Sequence, residues 1–184
     1  MRLKPINVEE LSDEQRAVLR EAEAGRRGHV PKPMLGWIAS PEFARRAQHL
    51  GAFVRYETSL SPLLSELAIL ITARHCCSAY EWQAHKREAL KAGLDPAVID
   101  AIAARRAPPY TDDEARAVDR FATALLQTHR VPREDYDEAV SLFGERGVGE
   151  LIGVIGYYVF VAMTLNTFEF DLPDGVVAEI SHDD

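Results

Sequence analysis

Three side chains in one short stretch have the types and spacing for proton-transfer chemistry. They are Glu66, Glu81 and His85, within the run ELAILITARHCCSAYEWQAH. Glu66 sits in the apolar run from Leu63 to Ile71, where a helix has almost no polar face. Its carboxylate is therefore expected to be buried, which is costly unless it is protonated or paired. Such surroundings also turn carboxylates into acids or bases that work near neutral pH. The structural alternative is a buried pair with Arg74 or a cap on another helix. Glu81 and His85 are four residues apart and share one face of a helix. Imidazole is the commonest general acid–base group; the alternative for His85 is a satisfied, half-buried histidine on an amphipathic helix. The same stretch holds both cysteines, Cys76 and Cys77. Free cysteine is usually buried and inert, but Cys77 lies just ahead of an expected helix N-terminus, where the dipole favours a thiolate. A metal centre drawn from His75, Cys76, Cys77, Glu81 and His85 matches no familiar zinc spacing. Neither a metal nor another cofactor is expected.

For these residues to act together, the chain must fold back between them. Ser78-Ala79-Tyr80-Glu81 fits S-x-x-E, a capping box that starts a helix. Ser61-Pro62 starts the preceding helix in the N-cap, N1-proline manner. Folded as a hairpin, the two helices bring Glu66 to His85 in a partly closed pocket. A single unbroken helix would hold the two about 28 Å apart, at 1.5 Å per residue.

The rest of the chain reads as further helices. Ser12-Asp13-Glu14-Gln15 and Thr111-Asp112-Asp113-Glu114 are two more capping boxes, and Ser40-Pro41 and Asp95-Pro96 are proline starts. Gly25, Gly93, Gly144 and Gly147 are expected stops. Phe43, Ala47, Leu50 and Val54 form the expected core stripe of one helix, and Val118, Phe121, Ala122 and Leu125 that of another. His129 falls at a helix end, where a cap or packing role is usual. The loop Gly25-Arg26-Arg27-Gly28-His29-Val30-Pro31-Lys32-Pro33 is basic; solvated surface is its ordinary role, contact with an anionic ligand its alternative. A helix is expected from Pro132 to Phe143 and a last long one from Glu150 to about Asn166, followed by an irregular acidic tail. No segment alternates as a half-buried strand does.

At 184 residues, 47% of them apolar, the chain fits one domain over 1–184: a core at 34–173, an N-terminal helix and loop at 1–33, and a tail at 174–184. The net charge of −8 and pI near 5.3 argue against a nucleic-acid partner. Two adjacent cysteines make no disulfide framework and fit a cytoplasmic location. The apolar run Leu151 to Leu165 is shorter than the roughly 20 residues a span needs, so no membrane partner is expected.

Glu66, Ala73-Arg74, the Tyr80-Glu81-Trp82-x-x-His85 string and Ala92-Gly93-Leu94 together resemble the carboxymuconolactone decarboxylase family. Gly153-x-x-Gly156-Tyr157-Tyr158 and Leu165-Asn166-x-Phe168 extend the resemblance, which runs roughly from Met34 to Pro173. That family shares its fold with the alkylhydroperoxidase D-like proteins. The resemblance implies an all-α, single-domain helical bundle of about eight or nine helices around a central hairpin, assembled as a homo-oligomer, a trimer or hexamer. It also implies a cofactor-independent lyase acting on a small organic acid or lactone of the aromatic-degradation type. His85 is then the proton-transfer residue, Glu66 sets its tautomer and charge, and Glu81 is the third catalytic candidate. Tyr80, Ser78 and Arg74 are the expected substrate-binding residues, with Arg74 supplying positive charge. Peroxidase members carry E…C-x-x-C-x-x-x-H; counting back from His85 puts their thiols at Glu81 and Ser78, neither of which is cysteine here. A thiol peroxidase working through Cys77 is the first alternative, and a non-catalytic oligomer that binds a small molecule the second.

Overall fold

A computed structural model of the chain describes residues 1–4 and 6–181. Among these residues are eight α-helices, one short 3-10 helix (Val8–Glu10) and no strand. The helices are α1 (Asp13–Ala24), α2 (Met34–Trp37), α3 (Pro41–Tyr56), α4 (Pro62–His75), α5 (Ala79–Lys91), α6 (Pro96–Ala103), α7 (Asp113–Thr128) and α8 (Arg133–Thr167). The fold is all-α, as the residue patterns lead one to expect.

α4 is the axis of the bundle. Every residue from Leu64 to Arg74 is buried, and the helix packs against α5, α6, α7 and α8. Ser61 Oγ accepts the Leu64 N–H at 3.3 Å with Pro62 in the first turn, so the expected start is present. At its far end the Cys77 N–H donates to Arg74 O and the Ser78 N–H to Ala73 O, with Cys77 at φ 49°. This is a Schellman closure in which a cysteine takes the left-handed position usually given to glycine. It turns the chain straight into α5, and the expected hairpin forms.

The Ser78 cap is only partly as expected. Ser78 is the N-cap residue of α5, but its hydroxyl makes no cap bond and is buried without a partner. The tight entry from Cys77 sets Ser78 at ψ 88° and buries its side chain away from the first turn. The Ser78–Glu81 box therefore does not form. The box at Ser12 does, reciprocally with Gln15. In α7 the cap moves by one residue: Asp112, not Thr111, accepts the Ala115 N–H at 3.0 Å. His129 ends α7 at φ 58°, its N–H on Leu125 O, and so is the cap residue expected.

Two core expectations need correcting. In α3 the buried stripe is Ala44, Ala47, Gly51 and Val54, while Phe43 and Leu50 are about half exposed. Small residues let α3 lie close to α8: a Cβ at Gly51 would stand 2.1 Å from the Tyr157 hydroxyl. In α8 the expected gap before Glu150 is absent. Gly144 alone leaves helical geometry (φ 67°, ψ 172°), and the helix resumes at once through Gly147 and Gly149. By length and composition α8 is long and apolar enough to cross a membrane, and 56% of its most apolar window is buried in the protein.

The tail is docked at its described end. Ile180 is 1% exposed, Glu179 accepts from Trp82 Nε1 at 3.1 Å and Lys86 Nζ at 2.7 Å, and Arg74 donates to Ser181 O at 3.2 Å. The last three residues of the expected tail lie outside the described residues. At the other terminus the Arg2 N–H donates to Phe168 O at 2.7 Å, tying the N-terminal segment to the end of α8.

Candidate active site

The hairpin brings Glu66 and His85 into direct contact. His85 Nδ1 lies 2.6 Å from Glu66 Oε2, and both residues are 7% exposed. With the carboxylate accepting from Nδ1–H, the second ring nitrogen, Nε2, is left as the reactive one. The Tyr158 ring from α8 stands edge-on to the imidazole, at 4.8 Å and 83°, and holds it from the other side.

His85 lines a cavity of about 370 Å³, a size suited to a small-molecule ligand. The cavity lies among α5, α8, α2, α3 and the basic loop after α1. Trp37 closes one side. Its ring stacks on Phe160 at 4.7 Å and its Nε1 donates to Thr164 Oγ1 at 2.9 Å. Glu66 is not on this wall; it faces a second depression on the far side of the pair, and Arg55 and Glu88 border both. Glu66 thus meets a ligand through His85.

Glu81, four residues before His85, is 2% exposed and lines the same cavity. Neither of its carboxyl oxygens has a partner, and burial pushes the group well above its usual 4.5. With no capping box to occupy it, this carboxyl has no structural employment. Tyr158 matches it: 2% exposed, its hydroxyl unpartnered and pushed up by burial. Tyr80 also lines the cavity, half buried, with its hydroxyl pushed up by burial.

Two expected ligand contacts are not in this cavity. Ser78 is fully buried and off its wall. Arg74 is buried on the opposite side of the hairpin, beside a separate cavity shared with His75, Arg105 and Asp119. Its Nε donates to Ala103 O at 2.8 Å and its Nη1 to Ser181 O at 3.2 Å, so it braces the chain. The positive charge at the His85 cavity comes instead from Arg27, Lys32, Arg55 and Arg87. The first two belong to the basic loop, whose alternative role was contact with an anionic ligand. Arg27 Nη2 donates to Gly51 O at 3.3 Å, while its Nε is buried without a partner.

Cys77 also lies apart from His85. Its Sγ is 3.8 Å from Arg74 Nη1 and 3.6 Å from Arg105 Nη2, two residues of the other cavity. Cys76 is pushed up to about 11, by burial first and then by Glu81 and Cys77. Among the described residues no three His, Cys, Asp or Glu side chains group as a metal site would require.

Residues 41–124, from the start of α3 into α7, match the Carboxymuconolactone decarboxylase family. The matched segment contains Glu66, Glu81 and His85, while Tyr157 and Tyr158 lie beyond it. No curated protein matches the chain in sequence. Among solved structures, a protein of unknown function from Agrobacterium tumefaciens, proposed to be an antioxidant defence protein AhpD, has a TM-score of 0.65 at 21% identity. The superposition covers 73% of this chain and 93% of the Agrobacterium chain. The debrominase Bmp8, in its apo form, has a TM-score of 0.72 at 16% identity, over 92% of this chain and 91% of its own. At these identities the likeness is one of fold.

Sequence reasoning missed Tyr158 and undervalued Arg27. The signal for Tyr158 was a phenol placed on the most apolar face of α8. The signal for Arg27 was a basic loop in an acidic chain.

Proposed function

We propose that this chain is a cofactor-independent lyase of the carboxymuconolactone decarboxylase type, acting on a small organic acid or lactone. The observation that carries the reading is the 2.6 Å Glu66–His85 pair with its imidazole on the wall of a cation-rimmed cavity. In a decarboxylation the bond to the carboxylate carbon breaks, CO₂ leaves, and the electron pair moves into an adjacent carbonyl as an enolate. A proton from His85 Nε2 then closes the carbon valence, and Glu66 stabilises the imidazolium before that transfer and fixes the ring. The guanidinium-rich rim draws an anionic substrate into an otherwise acidic protein.

The position of Cys77 favours this reading over a thiol peroxidase, since its sulfur faces Arg74 and Arg105 away from the Glu66–His85 relay. The test is CO₂ release from a panel of lactones and carboxylic acids, with no added cofactor, in wild type and His85→Gln. Turnover that falls at least about 10²-fold in a folded His85→Gln supports the lyase. Unchanged turnover in that variant defeats it, as does dithiol-dependent peroxide consumption that disappears in Cys77→Ser.

The chain is further proposed to work as a homo-oligomer. Leu50 on α3 and Ile152 and Met163 on α8 are 51%, 47% and 62% exposed, an apolar burden that a second copy would cover. Sedimentation at micromolar concentration as three or six subunits is the expected result, and a monomer rejects it.

A further inference from the structure

We propose that Glu81 and Tyr158 form a hydrogen-bond donor pair that grips a carbonyl or phenolic oxygen of the ligand beside His85. For its catalytic meaning this rests on the lyase reading; as a binding site it stands on its own geometry. The two residues come from different helices, α5 and α8, and converge on the wall of one cavity. Each is 2% exposed, and neither the Glu81 carboxyl nor the Tyr158 hydroxyl has any partner. A buried polar group without a partner costs stability. Two such groups on one cavity wall mark the place where a ligand completes the hydrogen bonding.

The ligand atom follows from what these groups offer. Burial holds both in the protonated form, pushing the carboxyl well above 4.5 and the phenol upward too. A protonated carboxyl and a phenol each present one O–H donor, and together they suit an acceptor oxygen. Neutral donors on a buried wall favour an oxygen that gains negative charge during reaction, as a carbonyl does on becoming an enolate. The charged end of the ligand goes to the guanidinium rim, at Arg27, Arg55 and Arg87. The site thus selects a compact anion with a second oxygen set apart from its carboxylate. Glu81 and Tyr158 hold that oxygen while His85 handles the proton.

The experiment titrates the full-length protein with 4-hydroxybenzoate and with benzoate, which differ only in that second oxygen, and records melting curves alongside. Wild type is expected to prefer the hydroxy compound by about 10-fold, the worth of one or two hydrogen bonds. Glu81→Met and Tyr158→Phe should each bring that ratio down toward one while melting at or above the wild-type temperature, because each removes an orphaned polar group. Glu81→Gln retains a donor and should restore most of the preference. Equal affinity of wild type for the two compounds, including no binding of either, overturns the proposal. So does an unchanged preference in Glu81→Met or Tyr158→Phe, or a fall in the Glu81→Met melting temperature, which would give the carboxyl a structural job. Failure of the lyase reading appears elsewhere, as CO₂ release that survives His85→Gln, and leaves the ratio untouched.

Discussion

Arg74 and Glu81 sit on the same hairpin, seven residues apart, and are buried almost equally, at 4% and 2% exposure. Their surroundings are opposite. Arg74 places its guanidinium on two backbone carbonyls and beside a thiol. The Glu81 carboxyl has no hydrogen-bond partner. A buried ion that holds backbone carbonyls in place is part of the scaffold, because its removal strips those groups of a partner. A buried acid with no partner gives the scaffold nothing and persists where function needs it. On the proposed reading Arg74, a candidate ligand contact from its charge, goes with the frame, and Glu81, at the N3 position of an S-x-x-E box that does not form, goes with the site.

The sharpest way to break this contrast is to remove one group from each side and read activity and stability separately. Glu66→Gln keeps the size of the side chain but cannot stabilise an imidazolium at Nδ1, so turnover should fall on the order of 10²-fold in a protein that still folds. Arg74→Met should do the reverse. Losing the bonds to Ala103 O and Ser181 O costs about 2 kcal/mol of stability, seen as a lower denaturant midpoint, with turnover per folded molecule unchanged. A loss of turnover in Arg74→Met without loss of stability would return Arg74 to the site.

How far these roles were legible depended on whether they lay in the chain or between chain segments. The all-α class, the α4–α5 hairpin and the Glu66–His85 pair follow from local signals: an apolar run with one carboxylate, a helix start, and a four-residue spacing. The failures come where packing overrides such signals. Ser78 caps α5 in position only, because the left-handed Cys77 turn buries its hydroxyl. The α3 stripe shifts from Phe43 and Leu50 to Ala44 and Gly51, because close approach of α8 demands small residues. Arg74 faces away from His85 because consecutive turns of α4 serve different neighbours. Tyr158 is some seventy positions from His85, and only the fold puts their rings in contact.

A smaller effect tests the protonation of Glu81 directly. Its carboxyl titrates well above 4.5 when folded, so the folded state keeps a proton that the unfolded chain has already lost. Stability contributed by this group is full below about 4.5 and is lost as pH rises toward the folded value, at up to about 1.4 kcal/mol per pH unit. Glu81→Gln has no such proton. Urea midpoints of wild type and Glu81→Gln should therefore diverge with rising pH, the variant becoming the more stable. Parallel curves would mean that Glu81 is ionised and paired, and the contrast with Arg74 would collapse.

The smallest effect settles what Cys77 is for. The residue stands at φ 49° in the closure of α4, a conformation that glycine adopts freely and other residues adopt at a cost of about 1 kcal/mol. Cys77→Gly relieves that cost, gives back part of it by loosening the unfolded chain, and loses the contacts of Sγ with Arg74 and Arg105. The net gain should be about 0.5 kcal/mol, or 1–2 °C in Tm. Because the sulfur lies beside the braced Arg74 and apart from His85, turnover should be unchanged. A more stable Cys77→Gly with full activity makes the thiol a tolerated occupant of a turn. A stable variant without activity would move the chemistry from the imidazole to the sulfur, and the closure strain would then be the sign of a functional residue held in place.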